Sequence, residues 1–266
     1  MTTTDCLLRE DVDGTVILSV NRPEALNALN MEVQTALHQQ LDEIEKDSRI
    51  SVVILTGQGE RAFVAGADIN ELAHRTPIDG LDARMQNLYT RIAEFSKPVI
   101  AAINGYAFGG GTELALSCDI RIGSTNAMFA LPETGLGIIP SAGATQRLAT
   151  IVGQGLALDM ILTGKRIKAE EANARGIITY LVEPQELREQ SLKIAQRIQS
   201  KGPLAIKLGR QVIKQGFKAD TTTGLMLEKL AQAVIYSTEE KAEGTAAFIE
   251  KRSPEFDQVR HDKGRD

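Results

Sequence analysis

KPVIAAINGYAFGGGTELALSCDIRI, from Lys97 to Ile122, is the stretch on which the reading of this chain turns. Pro98 to Ile103 is an apolar run with its proline at the start, where a missing N–H is tolerable in a strand. Asn104-Gly105 ends that strand in a turn, and Gly109-Gly110-Gly111-Thr112-Glu113 then opens a helix. Glycines let a ligand approach the backbone closely. The first free N–H groups of the following helix, at its positive dipole end, can receive a partial negative charge. A carbonyl oxygen turning into an enolate fits that description. Glu113 lies three residues past Gly110, about one helical turn, so its side chain can share a side with that amide. Taken alone, the glycines also read as a tight turn before a helix-start glutamate. Their spacing matches neither the dinucleotide fingerprint nor the phosphate-loop pattern.

Upstream, Cys6 to Glu10 and Thr15 to Val20 are strand candidates around Asp13-Gly14, a dipeptide suited to a hairpin turn. Leu29, Val33, Leu37, Leu41 and Ile44 recur at helical spacing, Ser51 to Leu55 reads as a buried strand, and Met85, Leu88, Ile92 and Phe95 form a second helical stripe. Strand, helix, strand, helix is the pattern of parallel strands joined by right-handed crossovers. Ligands then bind beyond the carboxyl ends of the strands. Downstream, Gly176 closes a short helix and Ile177 to Val182 gives a last strand. Helices dominate after that: Pro203 suits a first helical position, and Ser237 with Glu240 resembles a capping box.

Two further loops invite scrutiny. In Phe63-Val64-Ala65-Gly66-Ala67-Asp68-Ile69 a strand exit feeds a helix start, and Asp68 as N-cap leaves the amide of Ala67 pointing into the crevice as a second donor. A plain capped loop is the competing reading. In Phe129-Ala130-Leu131-Pro132-Glu133 a glutamate enters a largely apolar stretch. A carboxylate in such surroundings needs a partner or a raised pKa.

Bulk properties narrow the partners. The chain has 266 residues, 42% of them hydrophobic, and a net charge of −5, which fits a compact α/β body with a sizeable core and a helical tail. The acidic balance argues against nucleic acid as the main partner. No apolar run reaches the roughly 20 residues of a membrane span. Cys6 and Cys118 are isolated thiols and no leader pattern opens the chain, so a reducing, cytoplasmic setting is expected. His38, His74 and His261 lack two-histidine metal spacing, and Ser141 has no nucleophile context, so neither a metal nor covalent catalysis is expected.

Taken together, NRPEALNAL (Asn21 to Leu29), AFVAGADI (Ala62 to Ile69), the Lys97 to Ile122 stretch, LPETGLGIIP (Leu131 to Pro140), TQRL (Thr145 to Leu148), LTGKRI (Leu162 to Ile167) and AFIEKR (Ala247 to Arg252) resemble the crotonase, or enoyl-CoA hydratase, superfamily. The resemblance implies a crotonase (ClpP-like) spiral of ββα turns over residues 1–195. It also implies a helical C-terminal trimerisation region over residues 196–266, assembling trimers or dimers of trimers. It implies that Ala67 and Gly110 are oxyanion-hole donors and that Glu113 and Glu133 are the paired acids of hydratases. Isomerases of the superfamily often keep one of these acids or place an Asp elsewhere. The implied reaction is reversible addition of water to trans-2-enoyl-CoA thioesters, with coenzyme A as part of the substrate and no separate cofactor.

By the same resemblance, Ala25, Leu26, Ala65, Ala67, Asp68, Ile69 and Gly110 surround the coenzyme A portion, and Phe248 and Lys251 reach in from a neighbouring subunit. Ordinary packing competes for Ala25, Leu26 and Phe248, and a solvated charge for Lys251. The chain departs from the usual pattern at Glu24, where Lys is common, at Thr112 (Cys), at Leu131 (Gln), and at Ser141 and Ala144 (Gly). None of these removes a reacting group. The alternatives are a Δ3,Δ2-enoyl-CoA isomerase, or a branched-chain, methylglutaconyl-CoA-type hydratase with RNA-binding side activity.

Overall fold

A computed structural model describes residues 5–256 of the chain; His261 lies outside the described residues. Two compact units follow one another, Met1–Lys193 and Ile194–Asp266.

The first unit opens with the expected hairpin. Strands β1 (Leu7–Val12) and β2 (Thr15–Val20) pair antiparallel. Asp13 and Gly14 both take positive φ, 44° and 74°, the turn whose twist suits flanking strands. Helix α1 (Met31–Lys46) buries Val33, Leu37, Leu41 and Ile44. Leu29, which the periodicity assigned to the same helix, instead precedes its N-cap, Asn30, and forms an isolated bridge to Ala67. The cause is Asn30, whose side chain accepts the Val33 N–H and starts the helix after Leu29.

The spiral is built from repeated pairs of strands. Strands β3 (Val52–Gly57) and β4 (Ala62–Val64) lead into helices α2 (Ile69–Leu72), α3 (Pro77–Asp82) and α4 (Arg84–Glu94). Strands β5 (Val99–Ile103) and β6 (Tyr106–Phe108) lead into α5 (Gly110–Ser117). Strands β7 (Ile120–Ser124) and β8 (Met128–Ala130) lead into α6 (Ala144–Thr163). In each turn the first strand joins a six-stranded sheet and the second a four-stranded one. The unit closes with β9 (Ile167–Lys168), α7 (Ala169–Ala174) and β10 (Tyr180–Val182). The large sheet runs β1-β2-β3-β5-β7-β10, parallel from β2 onward, and the small sheet runs β4-β6-β8-β9.

The parallel-sheet reading was thus right in outline: the first strand of each turn obeys it, and the short second strands β4, β6 and β8, with β9, make a second sheet. Central position explains β5, whose five residues are all buried, since a strand covered on both faces reads as a continuous apolar run. Each such Val or Ile side chain contributes about 1.5–3 kcal/mol of burial.

Helix α8 (Leu187–Gln199) follows, and the second unit contains α9 (Pro203–Gly216), α10 (Thr221–Tyr236) and α11 (Glu239–Glu250). Pro203 is the first residue of α9, as its sequence position predicts. The capping box expected at Ser237 is not formed. Thr238 is the N-cap of α11, and Glu240 turns to accept the Leu204 N–H at the start of α9. Large apolar side chains on these helices, among them Ile213, Leu225, Leu230 and Val234, are exposed in the single chain. Among the described residues no helix is long and apolar enough to cross a membrane.

Candidate active site

The site forms in the first unit, where two strand exits of the small sheet converge. After β4, the loop Ala65-Gly66-Ala67 is tied down on both sides of Ala67: Leu29 N–H donates to Gly66 O at 2.8 Å and Asp68 N–H to Leu29 O at 3.2 Å. Asp68 caps α2 by accepting the Asn70 N–H and pairs with Arg22 at 3.0 Å, which holds its pKa below the usual carboxylate value. After β6, Gly109 N–H donates to Ala130 O at 2.8 Å and α5 begins at Gly110. Among the described residues, no acceptor engages the N–H of Ala67 or of Gly110. The two loops touch: a Cβ placed on Gly66 would lie 3.6 Å from the Gly110 nitrogen.

Gly109 makes the close approach possible. Its φ of 51° and ψ of −121° fall in a region that essentially glycine alone adopts. A Cβ there would also lie 2.8 Å from Glu133 Oε1. Thr112, at a position where the family often has Cys, lies with its hydroxyl 2.6 Å from Ala107 O and 3.0 Å from Ala130 O, fastening α5 to the middle of β6 and the end of β8.

The two glutamates, one on α5 and one just after β8, are both buried. Oε1 of Glu113 accepts the N–H groups of Ala142 (2.8 Å) and Ala144 (2.9 Å). Ala144, standing where glycine is common, therefore keeps what the site uses, its amide. Burial raises the Glu113 pKa, and the two amide hydrogen bonds and the Arg147 charge pull against that rise. Glu133 begins a 3-10 turn, Glu133–Leu136, and its Oε2 is buried without a hydrogen-bond partner among the described residues. Burial first, and the neighbouring Glu113 charge second, push Glu133 up to about 7. A cleft of about 1050 Å³ has Ile69, Met85, Leu136, Ile138 and Ile139 in its lining, together with Gly143, which stands between the two residues whose amides hold Glu113.

Ala25, Leu26, Ala65, Ala67, Asp68 and Ile69 are gathered on one side by the backbone bond from Ala65 N–H to Leu26 O at 3.1 Å and by the Leu29 bridge to Ala67. Phe248 and Lys251 belong to the second unit, on α11 and at its C-cap, and Phe248 is 85% exposed. His38 is engaged by Arg91, which donates to its backbone oxygen at 3.0 Å. Sequence reasoning missed Tyr89, fully buried on α4, whose hydroxyl donates to Gly110 O at 2.7 Å. A tyrosine inside an apolar helical stripe was the available signal, because its buried O–H must find an acceptor. It also missed Arg147, whose motif carried the resemblance without a role.

Two unengaged amides beside two buried carboxylates are the equipment of an enzyme that polarises a carbonyl and moves protons next to it. Comparison with known proteins gives the class its name. A family model described as enoyl-CoA hydratase/isomerase matches residues 11–260. The short-chain-enoyl-CoA hydratase of Clostridium acetobutylicum is 46% identical over 241 residues, 90% of this chain and 92% of that protein. The crotonyl-CoA hydratase of Syntrophomonas wolfei is 38% identical over 252 residues, 94% and 97% of the two chains. The crystal structure of an enoyl-CoA hydratase from Bacillus anthracis superposes with a TM-score of 0.91 at 39% identity, covering 94% of this chain and 98% of that one. The chain belongs to the enoyl-CoA hydratase/isomerase family, and its two-sheet ββα spiral is the crotonase fold.

Proposed function

We propose that this chain is an enoyl-CoA hydratase, adding water reversibly across the 2,3 double bond of trans-2-enoyl-CoA thioesters. The observation that carries the proposal is the unequal pair of glutamates beside the free amides: Glu113 is held by two N–H donors, whereas Glu133 Oε2 has none and burial pushes its carboxyl up to about 7. The named hydratases among its relatives support the same reading.

In this mechanism the N–H groups of Ala67 and Gly110 bind the thioester oxygen, drawing electrons from the double bond and making C3 electrophilic. Water attacks C3 and gives a proton to the Glu113 carboxylate. The electron pair moves through the enolate to C2, which takes a proton from Glu133. The cycle closes when Glu113 passes its proton back to Glu133, directly or through solvent. The acyl tail lies in the apolar cleft beside Met85 and Ile138. The backbone around Ala25, Leu26, Ala65, Asp68 and Ile69 holds the coenzyme A portion. Three chains, or two sets of three, assemble through the exposed apolar side chains of the second unit and bring Phe248 and Lys251 to a neighbour's substrate.

The test is the fall in thioester-conjugated ultraviolet absorbance when the protein meets crotonyl-CoA. Rapid loss with 3-hydroxybutyryl-CoA as product is expected. Conversion of a 3-enoyl-CoA to its 2-enoyl isomer without hydration of either would replace the hydratase reading with an isomerase.

A pH profile follows from the same pair. The base must be ionised and the acid protonated, so kcat/KM for hydration should be bell-shaped, its alkaline limb falling through about 7 as Glu133 loses its proton. The two limbs are properties of the coupled pair rather than of either residue alone. A flat profile from pH 6 to pH 9 would remove Glu133 as the proton donor.

A further inference from the structure

The turn that holds Glu113 is itself held by a residue to which the mechanism above gives no part. Ala142, Gly143 and Ala144 present their backbone to α5, and Ala142 and Ala144 donate their N–H groups to Glu113 Oε1. From one turn further along α6, Nη1 of Arg147 donates to Ala142 O in the same segment at 2.9 Å. The guanidinium packs over Gly143, whose φ is 116°, and a Cβ at that position would overlap Nη1. The turn is thus clamped between a buried carboxylate and a partly buried cation.

We propose that Arg147 is a positioning residue of the site: its guanidinium fixes the turn whose amides hold Glu113 and supplies the positive charge that acts on that carboxylate. The proposal rests on the hydratase reading and deepens it, because it names what keeps the base ready to accept a proton. Burial alone would drive Glu113 toward its neutral form, and Arg147 and the two amides oppose that drift. The cation bears its own cost of burial, which lowers its pKa, partly offset by the Glu113 charge.

The other titratable groups facing this pair are few. Glu133 acts on Glu113 from the segment after β8. Cys118 at the end of α5, and Glu94 and Tyr89 on α4, act on Arg147. Tyr89 stays protonated, since burial raises its pKa well above the usual phenol value and Glu113 adds to the rise.

Three substitutions separate the parts of the clamp: Arg147→Lys keeps the charge, Arg147→Gln keeps a donor for Ala142 O without charge, and Arg147→Met keeps neither. For Gln and Met, the acid limb of kcat/KM on crotonyl-CoA is expected to move up by at least about one pH unit. Turnover at pH 7 should fall about tenfold or more, with KM little changed, and Lys should stay within about threefold of the parent. A merely structural role would lower turnover without moving the limb. If the Met variant does not fold, Gln carries the comparison.

The second readout needs no turnover: the carboxyl band lost on Glu113→Gln, followed by infrared difference spectra against pH in the parent and in the Arg147→Gln variant. An upward move of the Glu113 titration without Arg147 supports the clamp. Unmoved titration and unmoved limbs in both Gln and Met variants overturn it. Parent protein that fails to hydrate crotonyl-CoA but shows the infrared shift would defeat the hydratase reading and leave the clamp standing.

Discussion

Replacing Glu133 by Gln lowers the turnover of crotonyl-CoA by at least about 10²-fold while KM changes by less than about threefold. The substitution conserves shape and removes the transferable proton. It reaches an oxygen, Oε2, that no donor in the described structure satisfies, so no hydrogen bond that holds the fold is lost. Stability distinguishes this outcome from unfolding. Because the folded-state pKa of Glu133 is raised to about 7 from 4.5, its contribution to stability is present below about 4.5 and is lost as pH rises through about 7. Above that range the parent carries an ionised, unpartnered carboxylate in a buried place. The Gln variant at pH 8 should therefore melt no lower than the parent. Glu113→Gln is expected to be as slow for a different reason: its Oε1 can still accept from Ala142 and Ala144, and what disappears is basicity. The double variant should be little slower than either single one, since acid and base act as one device. Near-normal turnover of Glu133→Gln would sink the assignment.

How much of this was legible in the sequence depended on whether a signal was local. The hairpin at Asp13-Gly14 and the helical stripe from Val33 to Ile44 were, because turn chemistry and side-chain period are properties of a few neighbouring residues. The division of the strands between two sheets was not. Ala62–Val64, Tyr106–Phe108 and Met128–Ala130 are three residues long, too short for a period to show which layer they join. The capping box at Ser237 illustrates the opposite failure. The pattern was present, yet Glu240 found a better use at the start of α9, a partner 36 positions away in the chain. In the site, Gly110, Glu113 and Ala67 stood out because each follows a strand and opens a helix. Glu133 stood out because it interrupts apolar sequence. Arg147 did not, because an arginine on a helix is ordinary until its guanidinium is seen to grip Ala142 O.

Gly109→Ala should damage the site as severely as loss of a carboxylate, through geometry alone. Two effects combine at this position. A φ of 51° with ψ of −121° is strained for any residue with a Cβ, at a cost of about 1–3 kcal/mol. The added methyl would also sit 2.8 Å from Glu133 Oε1, inside van der Waals contact, so the backbone relaxes, the carboxylate moves, or both. If the backbone relaxes, the Gly110 N–H that follows turns away from the thioester oxygen. Loss of one such donor costs about 3–4 kcal/mol of transition-state stabilisation. If the carboxylate moves, a displacement on the order of 1 Å already costs about 10² in rate. Turnover is therefore expected to fall about 10²-fold or more on either path, and the melting temperature by roughly 2–10 °C. Gly135→Ala serves as the control, because a Cβ there meets nothing within 4 Å and its φ is not in the positive range. Its turnover and melting temperature should match the parent. A crystal structure of the Gly109→Ala variant would show which path is taken, through the position of Glu133 and the direction of the Gly110 N–H. Unaltered turnover would mean that neither the amide nor the carboxylate needs the place this glycine gives it.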